Sequence, residues 1–286
     1  MSPKQSKSRI CAVVAIMAVF SVFLAFSAAA GDFKSSGVGT GSWDDPNSWT
    51  PPGTPGFGDN VTIQVGHVIR VKGGRLIDKL EIFPGGGLVG DKDVVLTVKT
   101  TVTLHPGSFL YGADFKGDER GGDVKITCGG QFDNHGVILA GDSAGASNEN
   151  RPNPAEGKKG RKGGDGKITS GTGILIGKTG IIQGGDGSKG GSFGKTPNGG
   201  DGGKCKVKGK KVINDGGIVG GAGGDGQATT PKGHGGEGGK ADVPGKTDNN
   251  GAILGGNGGK APTGMKPGKG GPASANGTKN TPMLCG

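Results

Sequence analysis

The sequence is poor in large side chains. Only 5% of its 286 residues are aromatic, with one tyrosine, two tryptophans and four methionines. A conventional globular core of this size needs more large apolar groups than that. Glycine, in contrast, occurs 68 times, always after residue 30. Two interpretations remain: a disordered low-complexity chain, or a repetitive fold whose core is thin and continuous.

Cysteine is also scarce. Cys11 precedes an apolar run near the amino end, which leaves Cys128, Cys205 and Cys285 further along, an odd number that does not make a disulfide framework. Cys205 is predicted to be a buried thiol. Stacked repeats would separate it from Cys128 by about 9–10 Å, too far for a disulfide. The pairing of either with Cys285 stays open.

The first thirty residues are typical of a cleaved signal peptide. Lys4, Lys7 and Arg9 precede an apolar run over residues 10–26, and small residues 27–30 follow. An uncleaved anchor is the alternative, but its hydrophobic length would be marginal for a membrane span. We therefore expect residues 1–30 to be removed and the mature chain to be secreted or held at the cell surface, with no further membrane span.

Charge points to the class of partner. Removing the three basic residues lowers the net charge from +10 to +7. A basic exported protein is suited to acidic polysaccharide or another anionic cell-envelope polymer, whereas nucleic acid is not expected. The sequence does not indicate the oligomeric state.

Short apolar elements recur along the chain. Around Lys204 to Lys208, lysines alternate with Cys205 and Val207, as in a strand with one buried face. Three such strands per repeat are typical of a β-solenoid. The first element is predicted at Leu80-x-Ile82, Leu96-x-Val98, Val124-x-Ile126, Gly166-x-Ile168, Cys205-x-Val207 and Ala241-x-Val243, and a later one at Leu88, Phe109, Ile138, Ile182, Ile218 and Ile253.

Asparagine and glycine mark the bends. Asn134, Asn214 and Asn249 stand before the later element, each followed two residues on by glycine, and we expect positive-φ corners there, with asparagines stacked along the axis. The longer insertions carry GGDGSKGG, GGDGGK, GGAGGDG, GGEGGK and GGNGGK. They are expected to project as loops from one corner. Whether they are flexible or packed like polyglycine II stays open.

Residues 41–71 carry a recognisable pattern, with Trp43, Asp45-Pro46, Trp49, Pro55 and Gly58-Asp59 followed by Val61 and Ile63. This resembles the W-x-D-P-x-x-W…P-x-x-G-D-x-V-x-I segment of bacterial cell-surface parallel β-helix proteins, and is similar to the extracellular domain named for eight conserved glycines. The resemblance implies a right-handed parallel β-helix. The two tryptophans are expected to cap its open end, with a sugar-binding platform as the alternative. We divide the chain into residues 31–79 (cap and first strands), 80–260 (glycine-rich solenoid) and 261–286 (tail).

No catalytic, cofactor or metal site is predicted. A calcium roll is excluded because lysines occupy the position where its aspartate should stand, although a separate site using Asp186, Asp201 or Asp225 remains a minor alternative. The four histidines lack zinc-ligand spacing. The densest acidic cluster is interpreted as a solvated turn, although a carbohydrate-active enzyme would need such carboxylates. Its members are Asp114, Asp118, Glu119, Arg120 and Asp123.

Two basic clusters are candidate contacts for an anionic ligand. A charged face that keeps the protein soluble explains them equally well. The residues are Lys158, Lys159, Arg161 and Lys162 in one insertion, and Lys204, Lys206, Lys208, Lys210 and Lys211 on or beside one strand.

The favoured function is a non-enzymatic surface or matrix protein for adhesion or assembly, since a repetitive face suits multivalent binding. The alternative is a β-helix polysaccharide lyase or hydrolase. Ice binding is less favoured because the loops lack regular threonine rows.

Overall fold

The computed structural model describes residues 30–37, 39–114, 120–143, 160–190, 198–227 and 232–280. The folded unit begins at Asp32. Within these ranges the regular structure is β, apart from one 3-10 turn at Pro46–Ser48. No helix in the described ranges is long and apolar enough to cross a membrane.

The strands are short, and most are repeated at similar intervals. In chain order they are β1 (Asp32–Ser35), β2 (Gly39–Ser42), β3 (Trp49–Thr50), β4 (Asn60–Ile63), β5 (His67–Val71), β6 (Gly74–Ile82), β7 (Gly87–Gly90), β8 (Val94–Leu104), β9 (Phe109–Tyr111), β10 (Val124–Cys128), β11 (Phe132–Asn134), β12 (Val137–Leu139), β13 (Gly166–Ser170), β14 (Gly173–Ile176), β15 (Ile181–Gln183), β16 (Cys205–Lys208), β17 (Lys211–Asn214), β18 (Gly217–Val219), β19 (Ala241–Asn249), β20 (Ala252–Leu254) and β21 (Ala273–Asn280).

The smaller sheet has eight strands, in the order β2-β5-β7-β9-β12-β15-β18-β20. Every pairing is parallel, and Ile138, Ile182, Ile218 and Ile253 lie directly opposite one another on successive strands, as predicted. The predicted ladder is wrong at Phe109, because Leu110 occupies the buried position there.

The larger sheet closes on itself. β8 pairs with both β10 and β11, and β19 pairs with both β16 and β17. The parallel pairings therefore run round β8, β10, β13, β16, β19, β17, β14 and β11 and return to β8, a closed ring of eight strands. The prediction of a right-handed parallel β-helix, or β-solenoid, with three separate short strands per repeat is thus wrong. β8 and β19 have 11 and 9 residues, enough to carry a partner at each end.

The register of the first repeats also differs from the prediction. Val124 pairs with Val94 rather than Leu96, and Leu80 pairs with Val102. β8 is longer than the predicted element, so the apolar pattern within it allows two alignments. The later alignment, from Val124 through Gly166 and Cys205 to Ala241, is confirmed.

Inward residues of both sheets form one hydrophobic cluster. Burial alternates along the strands as period-two patterning requires. In β16, Cys205 and Val207 are buried while Lys206 and Lys208 are exposed, as predicted. Most of the core is isoleucine, leucine and valine, because narrow parallel ladders suit branched aliphatic side chains.

The glycine-rich segments do not project as loops, contrary to the prediction. Gly185 donates its N–H to Gly164 O, Gly203 to Gly185 O, and Gly221 to Gly203 O, in a series that continues to Gly271. N–H donors also recur at every third residue, since Gly184, Gly187 and Gly190 all donate to the end of β18 and the glycine-rich segment that follows it. This is the packing of three-residue-per-turn polyglycine chains. The segments form a third layer, which we call the glycine layer.

Glycine is required there because the segments pack closely, and not because the backbone adopts a positive φ angle. A Cβ at Gly221 would overlap the carbonyl oxygen of Gly185, and one at Gly203 would overlap that of Gly164. The expectation of positive-φ corners after the asparagines is wrong too, because Gly136, Gly216 and Gly251 do not have positive φ angles. A Cβ at each would meet a neighbouring backbone oxygen instead.

At the amino end both sheets terminate around two buried indoles. Trp43 and Trp49 are 0% and 1% exposed, and their ring centroids lie 5.2 Å apart, edge to face. Trp43 Nε1 donates to Pro55 O, and Trp49 Nε1 donates to Trp43 O. Buried rings exclude the alternative of an exposed sugar-stacking platform. Their position suits the predicted cap.

Candidate anion-binding face

Three lysines form a ladder on the outer side of the ring. Lys125 of β10 lies opposite Lys167 of β13, which lies opposite Lys206 of β16. Burial alternates along each of these adjacent strands, so all three lysine side chains point outward and are exposed. Adjacent strands are about 4.8 Å apart, so the ladder places three positive charges in one row.

Like charges directly opposite one another on a sheet are unfavourable. Among the described residues, acids neighbour the ladder at its two ends: Lys125 Nζ lies 2.6 Å from Asp123 Oδ2, and Lys206 Nζ lies 4.0 Å from Asp242 Oδ2. Lys204 and Lys208, also exposed, flank Lys206 along the same chain segment. A bound polyanion would offset this repulsion along the whole row.

Asp123 is the most buried acid on this face, with a side chain 2% exposed. Burial works to raise its pKa. The N–H of Asp165, the Lys125 ammonium and the nearby Arg120 guanidinium outweigh that effect, and the pKa of Asp123 is lowered. Its Oδ1 accepts from Asp165 N at 2.8 Å, so this carboxylate holds successive segments together.

A hollow of about 350 Å³ lies beside the ladder, where the glycine-rich segments lead back into the larger sheet. Arg120, Gly160, Arg161, Lys162 and Asp201 line it. Arg120 and Lys162 are paired with Asp123 and Asp165, but the buried Nε of Arg161 has no hydrogen-bond partner among the described residues. We call the lysine ladder, Lys204, Lys208 and this hollow the basic face.

The structure brings together part of the predicted basic set. Arg161 and Lys162 line the hollow, while Lys204, Lys206 and Lys208 lie on the adjoining strand. Lys210 lies in the bend before β17, and Lys211 is the first residue of that strand, where its Nζ lies 2.9 Å from Asp248 Oδ2. Of the five lysines predicted on or beside one strand, Lys206 and Lys208 lie on β16, Lys204 and Lys210 lie beside it, and Lys211 begins β17. Lys158 and Lys159 lie outside the described residues.

Sequence reasoning missed Lys125, Lys167 and Arg120. The alignment that matched Ile126, Ile168 and Val207 would also have aligned the lysines one residue before them. The available signal was thus the outward column of the same ladder. These lysines are 42 and 39 residues apart in the chain, so a cluster defined by neighbours in sequence does not contain all three.

The predicted acidic cluster does not assemble into one place among the described residues. Asp114 lies in the part of the glycine layer that follows β9, where its Oδ1 accepts from Asp142 N. Asp123 instead lies at the basic face, paired with Arg120. Asp118 and Glu119 lie outside the described residues. Most glycoside hydrolases use two carboxylates flanking one bond, whereas Asp114 and Asp123 accept backbone N–H groups on different segments.

The aspartates considered for calcium have similar structural contacts. Asp186 Oδ1 accepts from Ala222 N, Asp201 Oδ1 from Glu237 N, and Asp225 Oδ1 from Lys260 N. Among the residues with assigned structure, no three histidine, cysteine or acidic side chains converge to hold a metal. Cys128 and Cys205 are free, buried thiols, as predicted for Cys205, and Cys285 lies outside the described residues.

No protein-family model, curated protein or solved structure matches this chain. The resemblance of residues 41–71 to cell-surface proteins therefore remains a prediction. What can be said of function rests on the surface itself.

Proposed function

We propose that this chain is a secreted or cell-surface structural protein that holds anionic polymers on its basic face. The observation that carries the proposal is the ladder of Lys125, Lys167 and Lys206, three like charges in register on adjacent strands. Such a row costs folding stability when it stands alone and becomes favourable when a polyanion lies along it.

The scaffold supports a mechanical role. Its layers are joined by backbone hydrogen bonds in both sheets and in the glycine layer, so the positions of the lysines are fixed relative to one another. A rigid row loses little conformational freedom when a linear polymer binds, and each contact is individually weak. Export is supported by the basic-apolar-small pattern of residues 1–30.

Binding of uronic-acid and sulfated polysaccharides to residues 31–286 tests the proposal. We expect the triple variant Lys125→Gln, Lys167→Gln, Lys206→Gln to bind about tenfold more weakly, since exposed ion pairs contribute about 0.2–1 kcal/mol each. Affinity should also fall from 0.15 M to 1 M salt, because ions screen exposed charges.

The control removes the same charge elsewhere. Lys178, Lys246 and Lys260 are exposed and lie away from the ladder, so their replacement by glutamine should leave affinity within about twofold. Equal losses in the two variants would mean that only net charge matters, and the assignment of the basic face would be abandoned.

A further inference from the structure

A long groove lies on the outer side of the smaller sheet, where the sheet meets the glycine layer. Two adjoining cavities of about 610 and 310 Å³ share Gln183 and Asp186 and extend from Arg70 to Asn257. Seven successive strands contribute to it, so its length is about 29 Å at the usual strand spacing.

One wall of the groove is a register-matched, largely apolar column at the ends of the strands. Adjacent members pair directly, and most are half-buried rather than covered. The column consists of Arg70, Val89, Tyr111, Leu139, Gln183, Val219 and Leu254.

A row of acids also lines the groove, one on each of three consecutive segments. Asp114, Asp142 and Asp186 each stand three residues after a member of the apolar column, which places them on the same side of a three-residue-per-turn chain. Asp114 Oδ1 accepts from Asp142 N and Asp142 Oδ1 from Asp186 N, which fixes the row. Asp91 adds a fourth acid at the same end.

The charges of the acidic row and those of the lysine ladder therefore have the same spacing along the stacking axis. Asp114, Asp142 and Asp186 lie on consecutive segments about 4.8 Å apart, and so do Lys125, Lys167 and Lys206. The acidic row lies in the glycine layer and the lysine row in the larger sheet, and the two rows have opposite charge. Three ion pairs form in register when one row lies against the other, and the apolar column then loses its contact with water.

We propose that the groove receives the basic face of a second copy of this chain, with the strand-stacking axes of the two copies aligned. The contact is heterologous, because each copy keeps an unused groove or an unused basic face. Such contacts propagate into open lateral arrays rather than closed dimers. The proposal uses the basic face but does not depend on its binding a polysaccharide.

Two complementary variants test this pairing. Asp114→Asn, Asp142→Asn, Asp186→Asn neutralises the groove and keeps each Oδ1 acceptor, while Lys125→Gln, Lys167→Gln, Lys206→Gln neutralises the ladder. We expect residues 31–286 of the wild type to form concentration-dependent oligomers at 0.15 M salt, and each variant alone to associate at least tenfold more weakly. An equal mixture should form a pair of one copy each and stop there, since the remaining groove and the remaining ladder have each lost the three charges that pair.

Sedimentation velocity measures all four samples, and circular dichroism verifies that each is folded. If the triple asparagine variant does not fold, the variant Asp91→Asn, Asp114→Asn, which changes only exposed side chains, should weaken association by a smaller factor. A wild type that stays monomeric, variants that still associate, or a mixture that does not pair would each overturn the proposal. So would binding of polylysine in the groove of a protein that remains monomeric.

The groove variant also separates this proposal from the proposed function. It should keep its affinity for anionic polysaccharide, because its basic face is intact. Loss of self-association with retained polysaccharide binding supports both proposals, whereas retained self-association contradicts only the present one.

Discussion

The side-chain amide of Asn214 donates to Oδ1 of Asn249 at 2.7 Å, joining two buried asparagines on adjacent strands. Both occupy the same register position on successive strands, which continues to Ile176 and then to Asn134 on the two strands beyond Asn214. The predicted asparagine stack therefore exists, but an apolar residue interrupts it. Asn134 instead donates to Ile181 O and accepts from Gly136 N.

Replacing Asn249 by alanine should destabilise the fold by about 1–3 kcal/mol, because the buried amide of Asn214 loses the shorter of its two hydrogen bonds and keeps only the one to Ala252 O. Urea unfolding followed by circular dichroism measures the change. The control is Asn250→Ala, one residue away, where an exposed amide donates to Asp215. That change should stay within about 0.5 kcal/mol. Equal losses would show that the buried pair contributes nothing special.

Gly221→Ala should cost at least about 1–3 kcal/mol, since its Cβ would overlap the carbonyl oxygen of Gly185 and force the segments apart. Gly217→Ala is the matched control four residues earlier. Its Cβ would lie 3.9 Å from Ile181 Cγ1, in ordinary contact, and the lower entropy of the unfolded chain should stabilise by about 0.4–1 kcal/mol. Thermal melting of both variants distinguishes a packed glycine layer from a loose one, in which the two changes would have similar effects.

Asp123 should make stability depend on pH. Its pKa is lowered in the folded state, so its contribution is present above the unfolded pKa of about 3.9 and is lost as pH falls through the folded pKa. Asp123→Asn should cost about 1.5–3 kcal/mol at pH 7 and progressively less below pH 4. Asp248→Asn, at an exposed pair with Lys211, should change stability by less than about 1 kcal/mol throughout. A pH-independent loss at Asp123 would contradict the lowered pKa.

The pKa of Asp186 is shifted in the opposite direction to that of Asp123. Burial raises its pKa, although the N–H of Ala222 opposes the shift. A raised pKa favours the native state at low pH, and that advantage is lost as pH rises through the folded pKa. Asp186→Asn retains the Oδ1 acceptor without the charge, so at pH 8 the variant should be as stable as the wild type or more so. A clear destabilisation at pH 8 would show that the carboxylate itself is needed.

The buried thiols should be unreactive in the native protein. Burial raises the pKa of Cys205 to about 12, and burial also raises the pKa of Cys128. In residues 31–286 with Cys285→Ser, a thiol reagent at pH 8 should therefore modify neither cysteine until urea unfolds the chain. Rapid modification of Cys205 in the folded protein would mean that its strand opens locally.

The sequence alone determined the inward side of the strands. Period-two alternation in Lys204–Lys208 and the series of Ile138, Ile182, Ile218 and Ile253 predicted burial and register correctly, because apolar side chains must face one interior. The two tryptophans were likewise expected at the amino end, where an open sheet must be covered.

Tertiary structure alone decided the closure of the larger sheet and the fate of the glycine segments. Both depend on backbone hydrogen bonds between residues far apart in sequence, such as Gly185 to Gly164, and the side-chain pattern carries no direct record of those bonds. For the same reason the match between the acidic groove and the lysine ladder is invisible in the chain. The alignment of the buried residues also aligns Lys125, Lys167 and Lys206, but the row of Asp114, Asp142 and Asp186 depends on the stacking of the glycine-rich segments, which no side-chain pattern records.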